Sequence, residues 1–471
     1  IGGTGDDGVN ISVTRGLQSL QRNYGDDGRS EVILDAAGNI YVASSTQSTA
    51  GAVNTQFPVT ANAFQKTAGG NQDGVVIKLD PSLNTVLFSS FLGGSENDAA
   101  YVLSLSPAGN IYVAGGTESA DLFHGSEVGA LQPAYKGSID GYVTEITNNG
   151  NTVLHSTYLG TIDVDQVFGV QFDAHGYPYV MGQTTGDWPV VNAPYSNANS
   201  KQFIAKLQPD LSAWVYSTVF GTGSATPNIS PIAFLVDKCE NVYISGWGGF
   251  FFNSNGFNSA GTNGLPVTPD AIKSTTDGKD LYFFVLKRDA QGQLYGSFFG
   301  ETNSIAQGGC DHVDGGTSRF DKNGVIYQAI CGNCKLGSPA IFPNSTTPGA
   351  WSTSNNSPNC NLTMVKIALN LAGVGAGVQS AIGGVPRDTA GCLPLTVTFI
   401  DTVRNAVSYE WNFGDGSPTV PTNNFSISHT YNTVGLFRVM LVAIDPNTCN
   451  VRDTSYLNIK VGDLIANLAF N

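Results

Sequence analysis

Apolar and polar positions alternate in short runs along most of this chain, and Gly, Asn and Asp break the runs at regular intervals. Leu34-Asp35-Ala36-Ala37-Gly38-Asn39-Ile40-Tyr41-Val42-Ala43 reads as an apolar stretch, a tight turn and a Tyr-centred run of period two. The phrase returns as Pro107-Ala108-Gly109-Asn110-Ile111-Tyr112-Val113-Ala114-Gly115, and in weaker form around Tyr179, Tyr243 and Tyr327. A Gly-Asn or Asn-Gly pair between alternating runs predicts a hairpin, because these residues tolerate positive φ. A second phrase interleaves with the first: Asp73-Gly74-Val75-Val76-Ile77-Lys78-Leu79, then Leu87-Phe88-Ser89-Ser90-Phe91-Leu92-Gly93-Gly94. Its copies fall at 140–146 with 154–160, 202–207 with 215–221, 281–287 with 294–300, and 362–367 with a degenerate 374–379.

Two hairpins per unit predict four antiparallel strands, and tandem four-stranded units predict an all-β propeller, whose radial closure shields the sheet edges. A long β-solenoid would need shorter repeats and fewer hairpins. Between the hairpins runs a connector, Phe57-Pro58-Val59-Thr60 followed by Ala63-Phe64-Gln65. Trp188-Pro189-Val190, Leu265-Pro266-Val267 and Phe342-Pro343 echo it. The large residue before Pro is expected to plug between neighbouring blades. Five blades are visible over residues 1–380. Ile1-Gly2-Gly3-Thr4 matches the end of a fourth strand, as in Leu92-Gly93-Gly94 or Leu159-Gly160-Thr161. Upstream sequence is therefore expected to supply one to three further blades. The strands near Glu31–Asp35 and 364–379 should then face a gap or another chain.

From about Val385 the pattern changes. Trp411-Asn412-Phe413-Gly414-Asp415-Gly416-Ser417 precedes His429-Thr430-Tyr431 and then Gly435-Leu436-Phe437-Arg438-Val439. Gly-Asp-Gly is a tight turn, and Trp411 and Phe413 alternate onto one buried face of an Ig-like sandwich. This stretch, 385–462, resembles the PKD domain; 463–471 reads as the start of a linker to other domains of a longer polypeptide.

The repeat phrases resemble the SBBP-type β-propeller repeat. Together with Ser245-Gly246-Trp247-Gly248-Gly249 and His312-Val313-Asp314-Gly315-Gly316-Thr317-Ser318-Arg319-Phe320-Asp321, they look like the large secreted, gliding-motility-associated proteins of Bacteroidota that join such repeats to PKD domains. The resemblance implies a ring of seven blades, export by a type IX route and residence outside the cell or on the outer-membrane surface. Asp388-Thr389-Ala390 and Asp401-Thr402-Val403 also resemble the short O-glycosylation acceptor of that phylum.

Composition narrows the partners. The chain has 37 acidic against 22 basic residues and a net charge of -15, which repels a phosphate backbone and argues against nucleic acid. No apolar run is long enough to span a membrane, and Ile1 is followed by no signal-peptide pattern, so the chain reads as an internal piece. Seven cysteines suit an oxidising compartment. Cys392 and Cys449 flank the PKD module, and a disulfide between them would contribute about 4 kcal/mol. Cys310, Cys331, Cys334 and Cys360 should collect on one face of the last blade, as two disulfides rather than a zinc site. Cys239 should lie on the other face, unpaired.

Catalytic signals are thin. The five His residues form no His-Glu-x-x-His or finger pattern, and no nucleophile elbow occurs. Asp6, Asp7, Asp98, Asp163 and Asp165 sit in Gly-flexed loops that suit calcium, with solvated turns as the alternative. Trp247, Phe250, Phe251 and Phe252 form an aromatic run suited to sugar or protein contact, or to packing on the adjacent blade. The reading is a non-enzymatic, adhesin-like cell-surface module that binds a surface protein or glycan. The alternative is an extracellular glycoside hydrolase or lyase whose carboxylates meet on the propeller axis.

Overall fold

The computed structural model describes residues 29–48, 57–122, 128–248, 259–300, 313, 319–332, 347–352 and 361–463. These residues are almost wholly β-strand and turn, and among them no helix is long and apolar enough to cross a membrane. The chain divides into two compact units. The first comprises Ile1–Val236, Glu240–Asp321 and Ile326–Ile367; the second comprises Ala368–Asn471 with two short turns, Asp237–Cys239 and Lys322–Val325.

The first unit is a series of propeller-like sheets in chain order. Sheet one holds β1 (Glu31–Leu34), β2 (Ile40–Thr46), β3 (Asp73–Leu79) and β4 (Val86–Leu92). Sheet two holds β5 (Asp98–Leu105), β6 (Ile111–Thr117), β7 (Asp140–Ile146) and β8 (Val153–Leu159). Sheet three holds β9 (Asp165–Phe172), β10 (Pro178–Thr184), β11 (Gln202–Leu207) and β12 (Trp214–Phe220). Sheet four holds β13 (Ser230–Val236), β14 (Val242–Trp247), β15 (Leu281–Leu286) and β16 (Gln293–Phe299). Sheet five has three strands, β17 (Arg319–Phe320), β18 (Val325–Gly332) and β19 (Asn361–Ala368).

The repeated phrases explain the repeated geometry. Each Tyr of the second strand faces the same position of the third: Tyr41 opposite Lys78, Tyr112 opposite Glu145, Tyr179 opposite Lys206. In all four complete sheets a bulge interrupts the third and fourth strands at one site, between Lys78 and Leu79 and at its three counterparts. A bulge adds local twist, which face-to-face packing of successive sheets needs. β6, β7, β10 and β11 are buried along their whole length, so both sheet faces are covered. Trp188, in the connector between β10 and β11, stacks on Phe203 of its own sheet at 3.6 Å and is 8% exposed. Each such ring, removed from water, contributes roughly 2–3 kcal/mol.

Residues 374–379 depart from the expectation of a degenerate closing strand for sheet five. Val374 and Ala376 are buried in the core of the second unit, and β20 (Val378–Ile382) pairs with β23 (Leu395–Asp401) there. Their alternation has the same period as a fourth strand, but their apolar side chains find a deeper core in the second unit. β19 is left at the edge of sheet five among the described residues, with Leu362 and Met364 exposed.

The second unit is a two-sheet sandwich. One sheet runs β21 (Val385–Pro386), β20, β23, β26 (Ser426–Tyr431). The other runs β22 (Ala390–Cys392), β28 (Arg452–Gly462), β27 (Gly435–Ile444), β24 (Ser408–Asn412), β25 (Val420–Thr422). Trp411, Phe413 and Tyr431 fill its core, on the face their alternation predicted.

Candidate functional site

The first strands of the sheets line a small cavity of about 50 Å³, with Arg29, Glu31 and Arg319 among its lining residues. Arg29 donates from Nη2 to the carbonyl of Phe168 at 2.8 Å and from Nη1 to that of Pro231 at 3.2 Å. Its guanidinium also lies 4.5 Å over the Phe168 ring, so one side chain ties sheet one to sheets three and four. Glu31 accepts from Arg319 Nη2 at 2.7 Å. Burial raises the Glu31 carboxyl above its ordinary range, although Arg319 and Arg29 both pull it down. Sheets one and five thus adjoin across an ion pair, at an edge expected to face a gap or another chain. Val32 and Leu34 of β1 remain exposed, and no backbone pairing joins the two sheets among the described residues.

Successive sheets meet at seams built from strand starts. An isolated parallel bridge pairs Ile139 with Val164, and Asp165 N–H donates to Ile139 O at 2.8 Å. This register sets Asp140, which opens β7, beside Asp165, which opens β9. The preceding seam repeats it, with Asp98 N–H donating to Gln72 O at 2.8 Å and placing Asp73 beside Asp98. All four aspartates are buried. A connector side chain locks each sheet at the same place. Gln65 pairs with the Gly93 backbone in both directions at 3.0 Å, Gln132 accepts from Gly160 N–H at 3.2 Å, and Lys273 donates to Gly300 O at 3.2 Å.

A buried charge cluster joins sheets three and four. Lys206 Nζ donates to Asp173 at 2.8 Å and to Glu240 at 2.9 Å, and Tyr179 OH donates to Glu240 at 3.2 Å. Burial alone would lower the Lys206 pKa, but the two carboxylates outweigh it and hold the ammonium above its usual value. Lys206 therefore stays charged and serves as a tie rather than a base. Sequence reasoning missed this cluster, though a signal was present: Glu240 stands where the other turns carry Gly38, Gly109, Gly176 and Gly324, all at positive φ.

The candidates named from sequence fare unevenly. Trp247 is fully buried against Ile232, Leu281, Val313 and Ile330, in keeping with the alternative of packing on the adjacent blade. Its position at the end of β14 turns the ring into the sheet stack. Asp98 Oδ2 accepts from Gly94 N–H at 2.7 Å and Ser119 Oγ at 2.9 Å, while Asp165 Oδ2 accepts from Thr161 N–H at 2.6 Å. Asp163 is exposed in the loop before β9. These carboxylates open strands at two different seams and do not converge; among the described residues no three acidic, His or Cys side chains are grouped to hold a metal. Asp6, Asp7, Phe250, Phe251, Phe252, Cys310, Cys334 and Cys360 lie outside the described residues, as does the side chain of Cys331. Trp351, not singled out from sequence, is fully exposed. Of the glycosylation candidates, Thr402 is exposed and donates to Gly377 O at 3.0 Å, and Thr389 is half-buried.

The expected Cys392–Cys449 disulfide is corrected. Cys449 bonds to Cys239, with Cα atoms 5.6 Å apart, and Cys392 is an exposed free thiol. The reason lies in the register of β28. Cys392 pairs beside Gly462 at one end of that strand, whereas Cys449 precedes Arg452 at the other. Ten residues of strand separate them by roughly 30 Å, far beyond disulfide reach. Cys239 belongs to the second unit through the turn Asp237–Cys239, where Lys238 also ion-pairs with Asp453.

In the sandwich, Asp415 of the Gly-Asp-Gly turn accepts from Ser417 N–H at 3.0 Å and pairs with His429 at 2.7 Å. The His429 ring stacks 3.9 Å from Phe413 and meets Tyr431 edge-on at 4.8 Å. Burial opposes ionisation of Asp415, but the Ser417 and His429 hydrogen bonds prevail and bring its pKa down to about 2.

Comparison with known proteins supplies a family for this second unit alone. No curated protein matches the chain. Among solved structures, a protein of unknown function from Bacteroides caccae aligns at 12% identity over 57% of this chain and 80% of its own, with a TM-score of 0.27. The extracellular domain assigned to a one component system of B. thetaiotaomicron aligns at 11% identity over 96% of this chain and 82% of its own, with a TM-score of 0.20. A protein of unknown function from Dyadobacter fermentans aligns at 11% identity over 90% and 97%, with a TM-score of 0.34. Residues 385–452 match the PKD domain, and this part of the chain is a PKD domain.

Proposed function

We propose that the chain is a non-enzymatic, secreted cell-surface module. In this reading the sheets form a β-propeller that serves as an interaction platform for a surface protein or glycan, and the PKD domain acts as spacer or docking element. One observation carries it: among the described residues the cavity where the first strands meet is lined by one carboxylate, Glu31, which is engaged by Arg319. Glycoside hydrolysis ordinarily needs two carboxyl groups about 5–9.5 Å apart across the scissile bond. Glu31 alone, engaged by Arg319, does not make up such a pair. The motif resemblance to gliding-motility-associated proteins, with its type IX export, supports the cell surface as the place of action, and the disulfide suits an oxidising compartment. A glycan and surface-protein binding array, run beside a hydrolase and lyase screen on the same polysaccharides, tests the proposal. Saturable binding without cleavage supports it, and turnover that disappears in Glu31→Gln overturns it.

A further inference from the structure

The seam position recurs at four sheet boundaries and is filled in three chemically different ways. At the third seam it holds amides. Asn228 N–H donates to Gln202 Oε1, Asn228 Oδ1 accepts from Thr222 N–H at 2.9 Å, and Asn228 Nδ2 donates to Gly261 O at 2.9 Å. After sheet four the position is a carboxylate with its own cation, Asp280 accepting from Lys273 Nζ at 2.7 Å. At the first two seams it holds two carboxyls, Asp73 beside Asp98 and Asp140 beside Asp165, with no cation ion-paired to them among the described residues.

These aspartates are 0–1% exposed. Asp140 Oδ1 has no hydrogen-bond partner, while Asp140 Oδ2 and Asp165 Oδ2 accept turn N–H groups. At the first seam both oxygens of each aspartate accept hydrogen bonds, Thr117 Oγ1 donating to Asp98 Oδ1 and the Gly69 and Gly70 N–H groups to Asp73. Asp140 Oδ1 also lies 2.2 Å from where a Cβ on Gly160 would stand, so the glycine makes the space the carboxyl fills. Two buried, adjacent carboxylates repel, and at the second seam they also leave an orphan acceptor on Asp140. The amide seam shows what relieves both problems, namely a hydrogen on the second atom of one partner. We infer that the Asp73–Asp98 and Asp140–Asp165 pairs each hold a proton at neutral pH, one member being a carboxylic acid, so that the sheet array is held by acid seams that loosen as the solution turns alkaline.

The surrounding groups pull both ways, and burial outweighs those that favour the charged form. Lys136 and Asp163 act on the Asp140–Asp165 pair with opposite sign, Tyr142 lies near Asp73 and Asp98, and Tyr135 lies among Asp98, Asp140, Glu96 and Glu118. Burial pushes Asp73 up to about 6; burial and the Asp165 charge push Asp140 up to about 7. The unfolded chain ionises near 3.9, so the folded state binds more protons between pH 4 and 7. Stability is then complete in acid and is lost as pH rises through 6 and 7.

Infrared spectra of the intact chain at pH 7 should show the carbonyl band of buried carboxylic acid, weakened in Asp73→Asn and in Asp140→Asn. The folding constant of the sheet array should fall at least about tenfold between pH 5 and pH 8, and Asp140→Asn should flatten that fall. Where one variant fails to fold, weakening of the band in the other still assigns it to a seam, since Glu31 and Asp280 are also buried carboxyls. Absence of the band overturns the inference, as does stability that rises with pH. A saturable stabilisation by calcium that removes the band also overturns it, because the pair would then hold a cation.

Discussion

Glu240 binds the ammonium of Lys206 at 2.9 Å from a backbone held at φ 61°, a conformation the neighbouring repeats reserve for glycine. A non-glycine residue there costs about 1 kcal/mol. Removing one partner of a buried ion pair costs about 3–5 kcal/mol, although Lys206 keeps Asp173. Glu240→Gly should therefore destabilise the first unit by about 2 kcal/mol net, measured by denaturant unfolding. A stabilised variant would mean that backbone strain outweighs the ion pair.

The Cys239–Cys449 disulfide predicts a specific peptide map. Digestion without reduction should recover these two cysteines together, and Cys392 should alkylate freely in the native chain. With a sequence separation of 210 residues, reduction should cost up to about 5 kcal/mol in the chain-entropy treatment. Recovery of Cys392 joined to Cys449 would contradict the register of β28.

Asp415 gives the PKD domain an acid limit. Its folded pKa of about 2 lies below the unfolded value, so its contribution is complete above pH 4 and is lost as pH falls toward 2. That contribution is about 2 kcal/mol. Asp415→Asn should lower stability by this order at pH 7 and should remove the dependence between pH 4 and pH 2. A variant that retains the parent's acid slope would assign the effect to another carboxylate.

Trp247→Ala should cost about 3–5 kcal/mol, the value for a large core residue. Any change in ligand binding should then vanish once measured at temperatures where the variant is fully folded. Unchanged melting with lost binding would restore the contact role.

How much of this was legible in the sequence depends on how local each feature is. The Tyr-strand hairpins were legible because Gly38-Asn39 and its copies carry the turn within a few residues, and Trp411 with Phe413 announced the sandwich in the same way. The fate of 374–379 was not, since a closing strand and β20 share one period and only the depth of the receiving core decides. Asp98 and Asp165 looked like loop acids beside Gly; their burial follows from a register between sheets that no short window contains. Cys392 and Cys449 bracket one module in sequence, yet β28 holds them a strand-length apart. Glu31 and Arg319 come together only because sheets one and five adjoin.

The account's central claim, a platform that binds and does not cleave, is met most directly by mass spectrometry of polysaccharides and surface proteins that the binding array selects, after prolonged incubation with the full chain. The account predicts saturable retention of at least one such partner with its mass distribution unchanged. New reducing ends or unsaturated termini, appearing with the parent chain and absent with Glu31→Gln, would contradict it.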